Sequence, residues 1–196
     1  MVIDHLLARQ DGGASGHGVA YLYFGYQDQT QQRPIDVFSI FTKQLLCQLP
    51  ELPPDIEDVY NKKRTESLDA DTLKGLLFSM PARFSALNPS RRTFIVCDAL
   101  DEMDKDRQRA VLLPLFHEMA HAGFEIFMTS RPHPADVRES FDSAIQLDII
   151  PDQNDLRRYI QGKLSANVKI MEIINNSISL KLEDIVSALV TSTEGM

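Results

Sequence analysis

The residues best equipped for chemistry stand together at 98–106, where Asp98, Asp101, Glu102, Asp104 and Asp106 follow directly on the apolar run Phe94, Ile95, Val96 and Cys97. A buried strand that ends in carboxylates concentrates negative charge at a sheet edge, where a cation offsets the repulsion. One carboxylate placed directly after such a strand can hold Mg2+, commonly through water, and a second acid a few residues on can orient or deprotonate an attacking water. Asp98 occupies the first position, and Asp101 and Glu102 the second. A further strand-like run, "FEIFMTSRP" at 124–132, closes on Thr129, Ser130 and Arg131. If the two strands are neighbours, a hydroxyl pair and a cation lie beside the acids, and Arg131 can sense a terminal phosphate because a guanidinium matches phosphate geometry. The plainer alternative is a polar loop after a buried strand, with Arg131 a surface residue before a Pro turn.

Such strand ends meet only if the surrounding elements form a sheet. "MVIDHLLARQ" reads as the last turns of a helix, and the Gly-rich "DGGASGHG" connects it to "VAYLYFGY" at 19–26, a strand by its β-branched and aromatic content. Phe38, Phe41, Leu45 and Leu49 recur at helical intervals after Pro34, a residue suited to a first turn. "PELPPDIEDVYNKKRTES" is expected to be mostly loop, and Leu73, Leu76, Leu77, Met80 and Phe84 to form the stripe of a second helix with Pro81 near its end. A helix over 105–121 carries Pro114, which predicts a kink or two short helices. The strand at 124–130, a short helix beyond "RPHP" and a fourth strand "AIQLDII" at 144–150 complete the series. Strands alternating with helices imply an α/β fold whose parallel sheet has both faces covered. From Pro151 onward the pattern is helical only, with stripes Leu156, Tyr159, Ile160, Leu164 and Leu182, Ile185, Val186, Leu189. The expected division is therefore a core over 1–150 and a helical segment over 151–196.

Charge narrows the partners. A net charge of −8 over 196 residues argues against nucleic acid and anionic lipid, both of which demand clustered Lys and Arg. "NKKR" at 61–64 is a solvated loop stretch on this reading, and His5 and His17 are expected to be exposed. Cys47 and Cys97 both sit in apolar runs and read as small core residues, which suits a reducing, cytoplasmic setting. No apolar run has the ~18 residues of a membrane span, and no secretory leader pattern opens the chain.

"TFIVCDALDE" at 93–102 followed by "FEIFMTSRP" resembles the Walker B segment and first sensor of NACHT-type P-loop NTPases of the STAND class, in particular the nephrocystin-like NACHT domains abundant in fungal proteins. The resemblance implies a P-loop NTPase-like sheet sandwiched by helices and followed by the start of a helical lid. It also implies an ATP- or GTP-dependent switch that self-associates or binds protein partners in signalling. Asp98 would hold Mg2+, Asp101 or Glu102 would lie near the hydrolytic water, Thr129 and Ser130 would border the nucleotide, and Arg131 would sense its terminal phosphate.

The chain departs from that family at one point. Phosphate binding there relies on G-x-x-x-x-G-K-[ST], whose backbone N–H groups wrap the phosphates, and no such string occurs in the 196 residues. "DGGASGHG" has no Lys and precedes a strand instead of following one. The expectation is that "VIDHLL" ends the helix such a loop would open, so that the loop and the first strand belong upstream of Met1 and the chain is a fragment without NTPase competence of its own. A non-catalytic interaction module, docking through an exposed sheet edge, is the alternative. A remoter one is a zinc protease, because "HEMAH" at 117–121 matches H-E-x-x-H. Against it, helical projection sets His117 and His121 opposite the stripe of Leu112, Leu115, Phe116 and Met119, and no third ligand follows at zincin spacing; no structural zinc is expected.

Overall fold

The computed structural model describes residues 2–8, 16–30, 32–62, 68–133, 135–149, 152–177 and 181–193. Outside them lie, among others, 11–15 of the Gly-rich connector, Lys63 and Arg64 of the basic stretch, and Ile150 and Pro151 at the expected boundary. The chain divides into two compact units, Met1–Ser143 and Ala144–Met196.

The first unit is built on three parallel strands in the order β1 (Gly18–Tyr23), β2 (Thr93–Asp98) and β3 (Phe124–Met128). Register pairs Ala20 with Ile95 and Ile95 with Ile126, so Ala20, Leu22, Ile95, Cys97, Phe124, Ile126 and Met128 share one face. That face meets the main core. Helix α2 (Pro34–Leu46) contributes Phe38, Phe41 and Leu45, α4 (Ala70–Leu87) contributes Leu77, Met80 and Phe84, and α5 (Ala110–His121) contributes Leu112, Phe116 and Met119. Burying side chains of this size stabilises by roughly 1.5–3 kcal/mol each, which is why the helical stripes dominate the packing. Gly18 is required where β1 passes under α4, since a Cβ there would stand 2.7 Å from the Phe84 ring.

Local chemistry starts the helices where the sequence indicates. Pro34 opens α2, and Asp36 accepts from the Arg33 N–H at 3.1 Å while the Arg33 guanidinium, 2.8 Å away, holds its carboxyl below the usual carboxylate range. Asp69 caps α4 by accepting from the Thr72 N–H at 2.8 Å.

Several expectations are corrected. The Pro-rich stretch after residue 50 contains a helix, α3 (Pro54–Lys62): Pro54 sits at its start, Asp55 and Glu57 complement the positive end of its first turn, and Ile56 buries. Pro81 lies inside α4, which continues to Leu87. The 105–121 segment divides, but ahead of Pro114: a π turn over Lys105–Arg109 passes into α5 at Ala110, the residue whose carbonyl Pro114 has no N–H to bond. The strand expected at 144–150 is absent from the described residues of that range, 144–149, where the chain has no regular structure. A strand needs a neighbour, and among the described residues the sheet ends at β3. Accordingly the two units divide at Ser143, ahead of residue 151. Cys47 is exposed just beyond the last residue of α2, whereas Cys97 is fully buried and burial pushes its thiol pKa up. His17 is half-buried, accepting from the Arg92 N–H at 3.0 Å and meeting Phe94 edge-on.

After β3 comes the short α6 (Ala135–Ser140). The second unit holds α7 (Gln153–Ser165), α8 (Val168–Asn176) and α9 (Leu182–Thr193). Asp152 caps α7, and Asn167 caps the unanticipated α8 by accepting from the Ile170 N–H at 3.2 Å. Ile174, Val186 and Val190 are buried there, whereas Tyr159 of the expected α7 stripe is exposed.

Candidate functional site: the carboxyl end of the sheet

Parallel strands deliver all their following loops to one edge, and the ends of β1, β2 and β3 meet there. Asp98 is the last residue of β2, and its carboxylate accepts a short hydrogen bond from the Thr129 hydroxyl, one residue beyond β3. The same hydroxyl oxygen accepts from the Ala99 N–H at 3.0 Å. Ala99 has φ 60° and ψ 52°, a left-handed backbone that costs a non-glycine residue about 1–2 kcal/mol. Thr129 bridges both sides of that turn, and its own N–H donates to the Cys97 carbonyl at 3.0 Å. The turn thereby aims the half-buried Asp98 carboxylate along the sheet's end, with its second oxygen lacking any protein partner among the described residues.

Asp101 and Glu102 form a second group with Arg131. Their single turn of 3-10 helix, Leu100–Glu102, is anchored by Leu100, which is buried and whose N–H donates to the Thr129 carbonyl at 3.0 Å. The Arg131 N–H donates to Asp101 at 3.1 Å, its Nε stands 3.5 Å from the same carboxylate, and its terminal nitrogen is 4.0 Å from Glu102. Asp101 is 11% exposed and Arg131 77%, so the cation covers a nearly buried acid from the solvent side. Ser130 is not brought into the group: its hydroxyl donates to the Arg131 carbonyl at 3.0 Å and it is exposed.

Sequence reasoning missed what β1 contributes. The Tyr26 N–H donates to a Glu102 carboxylate oxygen at 3.0 Å, the Gln29 amide to the Glu102 carbonyl at 2.8 Å, and the Phe24 N–H to the Asp98 carbonyl at 3.0 Å. Two of these donors are backbone groups, on which residue type leaves no mark. The usable signal was topological: the residues after "VAYLY" had to emerge at the same edge as the acids. Farther along the loop, Asp104 accepts from the Asp106 and Arg107 N–H groups and caps the π turn. The fully buried Gln108 donates to the Gln32 carbonyl at 2.7 Å and accepts from the Asp104 N–H at 2.6 Å, so Asp104 serves as a structural cap.

Two cavities lie away from Asp98, Thr129 and Arg131. One, of about 240 Å3, is lined by Gln29, Arg33, Asp104, Arg107 and Gln108. The other, of about 520 Å3, lies between α1 (Val2–Ala8), β1 and α2. The histidines of "HEMAH" gather no metal-binding set of three His, Cys, Asp or Glu among the described residues. His117 stacks on Phe141 with ring centroids 4.7 Å apart, His121 contacts the His117 carbonyl at 2.8 Å through Nδ1, and Glu118 is 2.5 Å from the Lys74 ammonium.

Fold and edge together define a mixed α/β protein whose parallel sheet presents carboxylates, a hydroxyl and a guanidinium at its carboxyl end. Residues 1–131 match the family model described as nephrocystin 3, N-terminal, and the chain belongs to that family. The matched span holds all three strands and reaches Arg131, so it includes the whole acid–guanidinium group. Neither the curated proteins nor the solved structures yield a match. No helix among the described residues is long and apolar enough to cross a membrane.

Proposed function

We propose that this chain is a nucleotide-switch domain of the NACHT type from a signalling protein, bearing the magnesium-binding and phosphate-sensing side of the site without the loop that grips the phosphates. The observation that carries this reading is the joint placement of Asp98, with one carboxylate oxygen open, and Arg131 at a single sheet edge. Mg2+ in nucleotide sites is held by one or two carboxylates plus the phosphates, with water completing the shell. Asp98, oriented by Thr129, fits that role. Bound there, Mg2+ would neutralise charge on the phosphates of ATP or GTP.

Asp101 and Glu102 are the residues for orienting a water, and in this arrangement Asp101 is committed to Arg131. A terminal phosphate and Asp101 therefore compete for one guanidinium, which links phosphate sensing to the freeing of the acid. Without G-x-x-x-x-G-K-[ST] the site forgoes several charge-assisted bonds of about 1.5–3 kcal/mol each, a sum comparable with the roughly 8 kcal/mol of a micromolar complex. The chain alone neither holds nucleotide tightly nor hydrolyses it, and its role in an assembly is exercised through protein partners or self-association.

Amide NMR during a titration with magnesium ATP or GTP at millimolar concentration tests this. The expected result is weak, magnesium-dependent shifts at residues 98–102 and 129–131 that Asp98→Ala removes. Shifts confined to other surfaces overturn the assignment, and micromolar affinity overturns the half-site reading.

A further inference from the structure

The turn that follows β1 and the π turn that follows the acids meet around one cavity. The Gln32 N–H donates to the Asp28 carbonyl at 3.0 Å, which sets Thr30 between two bonded residues. The buried Gln108 amide donates to the Gln32 carbonyl at 2.7 Å and reaches the Gln29 carbonyl at 3.4 Å, so the chain on both sides of Thr30 is fixed against the π turn. The cavity of about 240 Å3 lies there, and Thr30, Arg33 and Arg107 are among its walls. Its volume falls below the roughly 300–1,000 Å3 of ordinary small-molecule sites, and suits one small group.

The polar groups of those walls are unequally committed. Thr30 is exposed and its hydroxyl has no partner among the described residues, and the exposed Arg107 guanidinium has neither a hydrogen bond nor an ion pair there. Arg33 gives Nε and one terminal nitrogen to Asp36, at 2.8 and 3.1 Å, and keeps other N–H groups to spare. Of the acids, Asp104 stands in the wall with Oδ1 held by the Asp106 and Arg107 N–H groups, and Asp28 turns its carboxylate toward Gly25. Asp36 and Asp104 balance Arg33 and Arg107, so a free anion gains little from this neutral set. A phosphate carried by the wall itself gains more, because it arrives at the high effective concentration of an intramolecular contact.

We propose that Thr30 is a phosphorylation site whose phosphate enters this cavity and pairs with Arg107, and with Arg33 in competition with Asp36. The phosphoryl donor is ATP on a serine/threonine kinase: Thr30 Oγ1 bonds to the γ-phosphorus, the bond from that phosphorus to the bridging oxygen of ADP breaks, and the hydroxyl proton leaves to the kinase's base. The product bears a charge of about −1.5 to −2 and three acceptor oxygens, which match guanidinium forks. Its effect reaches the acids, because the same loop holds Glu102 through the Tyr26 N–H at 3.0 Å and the Gln29 amide at 2.8 Å. Pairing across the cavity stiffens that support, so a charge added at Thr30 is read at Glu102. The inference stands on the cavity and not on the nucleotide reading, and its test binds no nucleotide.

Mass spectrometry of the protein purified from its own cells under phosphatase inhibition should place a phosphate on Thr30. In phosphorus NMR, the full chain with Thr30 phosphorylated should show that phosphate titrating about 0.5–1 pH unit below its ordinary value of about 6. Exchange of the Tyr26 amide should slow about threefold or more. Arg107→Gln changes an exposed side chain, leaves the capping N–H in place, and should return the titration most of the way to its ordinary value. Inorganic phosphate at about 1 mM should leave the Gln29, Thr30 and Arg107 amides of the unmodified chain unshifted. A Thr30 unmodified in those cells, a phosphate that titrates alike with and without Arg107, or saturable binding of inorganic phosphate in the cavity below about 1 mM overturns the inference.

Discussion

The β1 and β3 edges belong to one sheet and have the same backbone chemistry, yet among the described residues side chains satisfy only the β1 edge. At β1 two side-chain amides, one helical turn apart on and just beyond α2, imitate a neighbouring strand by donating and accepting once each at Val19 and Tyr21. At β3 the corresponding groups of Ile126 and Met128 face outward, since Thr129 directs its N–H and carbonyl to the β2 side and peptide groups alternate along a strand. The difference teaches that a sheet edge can be ended by side chains from a helix, without a further strand, when a 3.6-residue period sets two amides against a strand's two-residue repeat. The amides of Val19 and Tyr21 should therefore resist exchange while those of Ile126 and Met128 exchange readily.

The heaviest blow to the comparison falls on the glutamines. Replacing Gln44 and Gln48 together by Leu leaves four backbone groups without partners, two of them on Val19, which is 1% exposed. At a net 0.5–1.5 kcal/mol for each bond, the double variant should lose about 2–6 kcal/mol in urea denaturation, with faster exchange at Val19 and Tyr21. A loss below about 0.5 kcal/mol would show that water seals that edge as well as the amides do.

Thr129→Val sharpens the comparison from the other side. The β3 edge is open, but the end of β3 is tied to β2, and the hydroxyl that does so also supports the left-handed Ala99 turn. Losing it should cost about 1–2 kcal/mol and speed exchange of the Ala99 amide, while Thr129→Ser retains most of the stability. A fully stable Val variant would mean that the turn is held by Leu100 burial alone.

How much of this the sequence displays depends on whether a feature is local. The strand ending at Asp98, the helical stripes through Phe41, Leu77 and Phe116, and the approach of Arg131 to the acids follow from periodicity and parallel topology, and the structure has each of them. Residues 144–149 carry a strand's pattern, but pattern supplies only the capacity; pairing is decided by what lies alongside. The helix at Pro54 was hidden because its prolines mark a helix start as readily as a loop. Cys47 follows the last residue of α2, where an apolar neighbourhood in sequence no longer means burial. The donors from Phe24 and Tyr26 are backbone groups, and the Gln44 and Gln48 amides appear in sequence as ordinary polar positions of a helix. In each case the missing information is non-local.

The smallest effect concerns the ionic tie on the β1 side, between α3 and α4. Both Arg83 terminal nitrogens donate to Asp55, at 3.2 and 2.5 Å, and this guanidinium holds the Asp55 carboxyl below its ordinary range. A carboxyl whose folded pKa is depressed contributes stability that is fully present above its unfolded pKa of about 3.9 and is lost as pH falls through the lower folded value. This tie is therefore indifferent between neutral pH and about pH 5, and weakens only below about pH 4. Asp55 is 60% exposed, so solvent screens the pair and its share of stability is small. Asp55→Asn should leave urea midpoints near neutrality almost unchanged and flatten the acid limb of the stability profile. An equal loss at neutral and acid pH would show that the aspartate acts through something other than its charge, because the carboxylate is protonated at the acid end.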